Sequence, residues 1–302
     1  MAGGRGRSER AGVREHVRPS VTRAEEVVAN APGENFPVAL RVLPARHRRH
    51  LTNLYFFARL TDDLGDEARD TGKDVTELRL RLLDELAADV DRIYAGQAPH
   101  SPVMRAMADT VEQCQVPAQP MLDLIQANRQ DQLVTRYTTF AELERYCELS
   151  ANPVGQIVLY IFGVATPERI ALSDSICTAL QLAEHWQDVA EDLGHGRIYL
   201  PGEDLERYGV TEADLAAPTA GPAVRELLNF ETARAVQLLD AGAPLVGTLR
   251  GPARLAVAGY LAGGRAALAA IRGQHYDVLR GTPRPRKQKL AVELAKAYLR
   301  GK

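Results

Sequence analysis

The stretch Cys177-Thr178-Ala179-Leu180-Gln181-Leu182-Ala183-Glu184-His185-Trp186-Gln187-Asp188-Val189-Ala190-Glu191-Asp192 begins apolar and ends acidic. Gln181, Glu184, His185, Asp188 and Asp192 recur at helical spacing, so they share one stripe. A polar stripe on an otherwise apolar helix lines a cavity more readily than it faces bulk water. A counterpart lies far upstream, where Leu54-Tyr55-Phe56-Phe57-Ala58-Arg59-Leu60 runs into Asp62-Asp63-Leu64-Gly65-Asp66-Glu67. Both clusters contain D-x-x-x-D, as Asp62 with Asp66 and Asp188 with Asp192. Residues four apart occupy one helix face, so each pair points two carboxylates the same way. Like charges at that spacing repel unless something positive lies between them. Two such pairs facing each other would suit a hard divalent cation, and Mg²⁺ prefers a few carboxylates plus substrate phosphate oxygens. The pattern points to an enzyme that grips a diphosphate through metal ions.

One D-x-x-x-D alone is most simply a solvated acidic face. Here two occur, far apart in sequence, each at the end of a largely apolar run. The bulk properties fit a soluble helical enzyme. The chain has 302 residues, 45% hydrophobic and 25% charged, with a net charge of −2. That balance carries no nucleic-acid signal. Cys114, Cys147 and Cys177 lack C-x-x-C spacing, which argues against a zinc site or a disulfide framework. No apolar run reaches the roughly 18–20 residues of a membrane span. The N-terminus lacks the apolar core of a secretory signal, so a cytoplasmic location is expected.

Residues 1–22 are rich in Arg, Gly and Ser, and are expected to form a disordered basic tail. From residue 23 to 302 a single all-α domain is expected, one large helical bundle. Helices are predicted over 23–31, 44–66, 75–94, 103–115, 117–132, 140–162, 167–193, 223–241, 251–278 and 287–299. Gly and Pro mark the breaks, for example Gly194–Gly202 and Gly281–Pro285. There is no fixed-period repeat, G-x-G-x-x-G or Walker A motif.

Several further residues are candidates with two readings each. Arg197, in Gly194-His195-Gly196-Arg197-Ile198-Tyr199-Leu200-Pro201, can reach a phosphate or cap helix-end carbonyls. Arg59, one turn before Asp62, can pair with carboxylates or bind phosphate. Asp131, read alone, is a surface charge. Phe36, Tyr55 and Tyr160 are most simply core aromatics. His47 and His50 sit among arginines and read as a solvated basic face. The basic stretch from Lys287 to Tyr298 puts Leu290, Leu294 and Tyr298 near one face. That pattern suits an interfacial helix at a lipid surface, or a helix packed on the bundle with its lysines solvated.

With both acidic motifs in place, the chain resembles the squalene/phytoene synthase family across nearly its whole length after the tail. The matching stretches are Asn35-Phe36-Pro37-Val38-Ala39 with Leu43-Pro44, Tyr55–Arg59 leading into Asp62–Glu67, and Asp131 with Arg136–Phe140. Tyr146-Cys147, Gln181-Leu182, Gln187–Asp192 and Gly196–Pro201 follow. Glu34–Ala39, Ser150–Gly155 and Gln187 before Asp188 resemble the hopanoid-pathway branch, the HpnC-type hydroxysqualene synthases. The resemblance implies the all-α isoprenoid synthase (terpenoid synthase) fold, a helical bundle around a central cavity. It implies that Asp62, Asp66, Asp188 and Asp192 ligate Mg²⁺ on the substrate diphosphate. Arg59, Arg197 and Tyr199 fall where they help hold it, and Phe36, Tyr55, Gln181 and Asp131 match cavity positions. Tyr55 and Glu184 join the four aspartates as catalytic candidates. Glu184 stands where the family usually has Asn, so the Asn's role does not transfer simply, and a glutamate there would ligate metal or orient a water.

The implied reaction converts presqualene diphosphate and water to hydroxysqualene and diphosphate, a Mg-dependent lyase step in squalene and hopanoid biosynthesis. A presqualene diphosphate synthase would supply the substrate, and a hydroxysqualene-reducing enzyme would consume the product. The competing enzyme condenses prenyl diphosphates head to head, as a prenyltransferase. A non-catalytic relative serving in assembly would be expected to have lost motif aspartates, and both pairs are intact. A di-iron bundle needs Glu-x-x-His pairs, which this chain lacks.

Overall fold

Alanine, leucine, glutamate and arginine dominate the sequence after Leu43, and these residues lose little rotamer freedom in a helix. The computed structural model describes residues 43–66, 73–285 and 287–300, and among them it contains helices, turns and one isolated β-bridge. The expected tail, the helix over 23–31 and Phe36 lie outside the described residues.

Two apolar clusters organise the helices. The first joins α1 (Ala45–Asp66), α2 (Lys73–Tyr94), α3 (Pro102–Cys114), α4 (Ala118–Asp131) and, beyond α5 (Phe140–Ser150), α6 (Asn152–Ile161). Leu51, Leu54 and Phe57 on α1 meet Leu83, Met107, Met121, Ile125 and Ile157 there. The second joins α5 with α7 (Pro167–Gln187), α11 (Pro222–Gly242) and α13 (Gly251–Gly273). Leu182 and Trp186 on α7 are fully buried in it. Burying such a side chain is worth about 1.5–3 kcal/mol, so these contacts fix the axis of α7. The fit around α7 is close. A Cβ added at Gly155 would lie 2.5 Å from Ser173 Oγ, and one at Gly242 would lie 2.5 Å from Leu172 O.

Between α7 and α13 come short pieces that periodicity does not reveal: α8 (Val189–Gly194), α9 (Gly202–Tyr208), α10 (Glu212–Leu215) and α12 (Leu245–Thr248). A 3₁₀ turn (Val278–Arg280) then precedes α14 (Lys287–Arg300).

Several expectations need correction. The helix predicted over 140–162 breaks at Ala151 (φ −115°, ψ −47°). Pro153 has no N–H to donate and restricts the residue before it. The helix predicted over 167–193 breaks at Asp188 (φ −108°, ψ 18°), which caps α7 and opens α8. His47 and His50 are buried rather than solvated. His50 Nδ1 pairs with Thr110 Oγ1 at 3.0 Å, and His47 lies 4.9 Å from the Phe162 ring. On α14, Leu294 and Ala297 pack against the second cluster, while Val292 and Leu299 stay exposed. The Leu290–Leu294 side therefore meets the bundle. No described helix is long and apolar enough to cross a membrane.

A buried polar knot ties α9 to α11. Arg234 Nη1 donates to Asp204 Oδ2 at 2.9 Å and to Glu231 Oε2 at 3.1 Å, and its guanidinium stacks 4.0 Å from the centroid of Phe140. Glu231 is wholly buried, and burial pushes its carboxyl up to about 8, with Arg234 opposing and Asp204 reinforcing. Folding thus favours protonated Glu231. Its contribution is fully present below about 4.5 and is lost as pH rises through about 8. Glu231→Gln keeps a neutral donor and acceptor in that place. The variant should match wild type in denaturant melts at pH 4.5 and exceed it at pH 9 by roughly 4–5 kcal/mol. Equal melting midpoints at pH 9 would exclude a protonated Glu231.

Candidate active site

Asp188 and Asp192 stay one turn apart despite the break. Asp192 N–H donates to Asp188 O at 2.8 Å, and Asp188 N–H donates to Glu184 O at 3.0 Å. The pair is thus held on one face across the α7–α8 junction. Both carboxyls are partly buried, and both are shifted upward. Asp192 is pushed to about 7, by burial first and then by the charge of Asp188, with Arg197 opposing. Asp188 is raised by burial, while Thr282 and Arg284 oppose the shift. Thr282 Oγ1 donates to Asp188 Oδ1 at 2.8 Å, and Gln187 Nε2 donates to Pro283 O. The segment after the 3₁₀ turn therefore lies against the acidic junction.

Gly196 (φ +78°) turns the chain after α8 in a conformation that favours glycine. Beyond it the loop zips onto the segment before α5. Ile198 N–H donates to Thr135 O at 3.0 Å, Gly202 N–H to Tyr137 O at 2.9 Å, and Arg136 Nη1 to Gly196 O at 2.6 Å. This places Arg197 in electrostatic reach of Asp192 and drives Tyr199 inward, where it is buried. The Tyr199 ring stacks on His185 with centroids 3.7 Å apart and planes at 14°. Tyr146 and Tyr137 complete the group, 5.8 Å and 5.9 Å from Tyr199. Asp131 Oδ2 accepts from Tyr146 Oη at 2.9 Å. Asp131 is therefore part of this group, not an isolated surface charge.

His185 links the stripe. Gln181 Nε2 lies 3.2 Å from His185 Nε2, and His185 Nδ1 lies 3.9 Å from Asp192 Oδ2. Burial, with Arg197 adding, lowers the imidazole to about 3, so the ring is neutral near pH 7. With the Gln181 amide nitrogen as donor, Nε2 accepts and the ring hydrogen sits on Nδ1, towards Asp192. Glu184, one turn before Asp188, is exposed.

The first acidic cluster ends α1. Asp62 is exposed and accepts from Asn128 Nδ2 at 3.4 Å. Asp66 is the last residue of α1, and its side chain lies outside the described set. Arg59 Nε pairs with Asp63 Oδ1 at 2.9 Å with half the arginine side chain still exposed. Tyr55 lies seven residues before Asp62, on the same face, edge-on to Phe56 at 5.8 Å. Helix α4 connects the two ends: Asn128 touches Asp62, and Asp131 touches Tyr146.

Among the described residues no group of three or more His, Cys, Asp or Glu side chains gathers as a metal cage. Mg²⁺ bound through substrate phosphates needs only one or two carboxylates from each side. The donor set fits that use, since the mutual repulsion of Asp188 and Asp192 is relieved by a cation.

The squalene/phytoene synthase profile matches residues 29–291. The chain belongs to that family. The hydroxysqualene synthase of Rhodopseudomonas palustris is 33% identical over 218 residues, 72% of each chain. The 15-cis-phytoene synthase of Synechocystis is 32% identical over 231 residues, covering 72% of this chain and 67% of the relative. The crystal structure of squalene synthase HpnC from Alicyclobacillus acidocaldarius superposes with a TM-score of 0.75 at 40% identity, over 84% of this chain and 94% of that one. The fold is therefore the all-α terpenoid synthase bundle of this family.

Reading the sequence by residue missed three features of this family member's site. Thr282 and Pro283 lie about a hundred residues beyond the acidic pair and carry no local signal. Asn128 reads as an ordinary polar position on an amphipathic helix. The third is the packing of Tyr137, Tyr146 and Tyr199: all three fall inside the matched stretches, and Tyr199 is expected at the diphosphate, yet their mutual contact has no local signal. The stack itself is testable. His185→Ala should lower stability by about 3 kcal/mol through the cavity beside Tyr199, and His185→Phe should recover most of it. Denaturant unfolding of both variants measures this, and equal losses would show that stacking is not what His185 contributes.

Proposed function

We propose that the chain converts presqualene diphosphate and water to hydroxysqualene and diphosphate. The carrying observation is the raised, paired Asp188 and Asp192, flanked by Arg197 and floored by the buried stack of His185 and Tyr199. The hydroxysqualene synthase and HpnC relatives support the choice of reaction. The substrate diphosphate would lie between the acidic pairs, with Arg197 and Arg59 as its guanidinium partners. Mg²⁺ held by Asp62, Asp66, Asp188 and Asp192 would supply the charge that neutralises the leaving diphosphate.

The C–O bond to diphosphate breaks, leaving the electron pair on the departing oxygen and a cation on the C30 chain. The buried rings of Tyr137, Tyr146 and Tyr199 would back the site with electron-rich π-systems, and apolar surroundings would exclude stray nucleophiles. A neutral His185 adds no opposing positive charge. After the cyclopropane rearranges, one water oxygen bonds to the cationic carbon that results and a proton is released. In this reading Glu184, exposed one turn before Asp188, orients that water. Peripheral contact with lipid belongs to this reading too: substrate and product are poorly soluble, and Lys287, Lys289 and Val292 are exposed on α14.

The second reading, head-to-head condensation, draws on the phytoene synthase relative, which is almost as similar. Mass spectrometry separates the two. Incubation with presqualene diphosphate should give hydroxysqualene without a reductant, while farnesyl diphosphate alone should give no C30 product. The reverse outcome would establish the condensing activity instead.

Asp188→Asn and Asp62→Asn should each lower turnover by two or more orders of magnitude with folding intact, and chelation should abolish it. Near wild-type turnover in either variant, or in chelator, would overturn the metal–diphosphate reading. Glu184→Asn should shift the product ratio away from hydroxysqualene. A slower reaction with the same products would make Glu184 a plain metal ligand.

A further inference from the structure

The segment that touches Asp188 has a basic basin beside it. A cavity of about 620 Å³ is lined by Arg225, His275, Asp277, Arg280, Thr282 and Arg284 together with small and polar neighbours. That volume lies within the range of small-molecule sites. Three guanidinium groups stand there against one carboxylate.

The carboxylate is spent on organising two of those arginines. Asp277 is buried, and its Oδ2 accepts from Arg225 Nη2 at 2.7 Å and pairs with Arg280 Nε at 3.2 Å. Its Oδ1 accepts from Ala220 N–H at 2.8 Å. Arg280 remains 70% exposed, so with Nε engaged its terminal nitrogens are available as a fork of donors. Arg284 is exposed as well. The backbone contributes to the arrangement. His275 (φ 53°) and Tyr276 (φ 61°) are consecutive non-glycine residues in the left-handed region, which costs energy and persists where the surroundings enforce it. That turn presents His275 O to Arg225 Nη1 at 2.6 Å.

We infer that this basin is a second anion site, which binds a phosphate or diphosphate group without metal. It goes beyond the reaction proposed above and does not depend on it. The paired aspartates repel such an anion unless a cation is present, whereas the basin carries an excess of positive charge. The two are neighbours, because Thr282 donates to Asp188 and Arg284 acts on the same carboxyl. An anion in the basin would compete with Asp188 for Arg284. The group can arrive as free diphosphate or as the headgroup of an anionic phospholipid.

Calorimetric titration of the full chain with sodium diphosphate in excess chelator isolates the basin from any metal-dependent site. Flotation with phosphatidylcholine vesicles, with and without phosphatidic acid, tests the lipid source. Binding to either probe should weaken about tenfold or more in Arg280→Ala and in Arg284→Ala, the loss expected for one charge-assisted contact. Arg272→Ala, an exposed basic residue outside the basin, should bind as wild type does. A calorimetric response alone assigns the soluble anion; a vesicle response alone, lost in the same variants, assigns the headgroup. Arg284→Ala keeps the test sound should Arg280→Ala melt early. No binding of either probe, or binding equal in wild type, Arg280→Ala and Arg284→Ala, would overturn the inference.

Discussion

The charge on Asp188 and Asp192 must be tolerated at the end of a helix whose other faces are packed into the core. Leu182 and Trp186 are buried beside the pair, so the helix cannot turn to expose the acids more fully. In such surroundings an unpaired carboxylate is costly, and the upward shift of Asp192 to about 7 expresses that cost. The neighbours follow from the same requirement. Arg197 comes in from the loop, Thr282 donates from the far end of the chain, and His185 stays neutral beneath. A helix that only had to pack would not keep two acids there. The function proposed above completes this arrangement with a cation and a phosphate-bearing ligand.

The helical architecture was legible because helix formers, apolar periodicity and Gly or Pro breaks agree along most of the chain. Both acidic pairs were legible because i, i+4 spacing survives folding, even where α7 breaks at Asp188. The break itself was not legible: no Gly or Pro marks it, and the helical hydrogen bonds continue through it. His47 and His50 misread because neighbouring arginines dominate the local composition, while each imidazole faces inward to Phe162 or Thr110. Asp131 misread for a related reason. Its partner Tyr146 lies on the next helix, and a sequence window around Asp131 cannot contain that contact. Contacts between distant segments, such as Thr282 with Asp188, have no periodic signature at all.

Helix α4 touches one acidic cluster and the aromatic group beside the other. It reaches Asp62 through Asn128 and Tyr146 through Asp131, on successive turns of the same helix. Both contacts are made from one rigid rod and not from loops, the kind of support that a preorganised site requires. The loop bearing Arg197 and Tyr199 is restrained in another way, by backbone bonds to residues 135–138 and by the Asp204–Arg234–Glu231 knot just after it.

In the proposed reading, ligand grip and choice of reaction rest on different residues. There the aspartates and arginines answer to the diphosphate, and relatives that bear hydroxysqualene synthase and phytoene synthase names are similarly close to this chain. Discrimination between ending a cation with water and joining two prenyl chains has to come from groups that touch the hydrocarbon or the water. In the proposed reading Glu184, exposed one turn before Asp188, is the candidate for such a group. A carboxyl there would change what a water near the cation can hydrogen-bond to without removing a guanidinium partner of the diphosphate. Differences of one or two kcal/mol at such a position are enough to redirect a reactive cation, since every 1.4 kcal/mol is a factor of about ten in the partition between products.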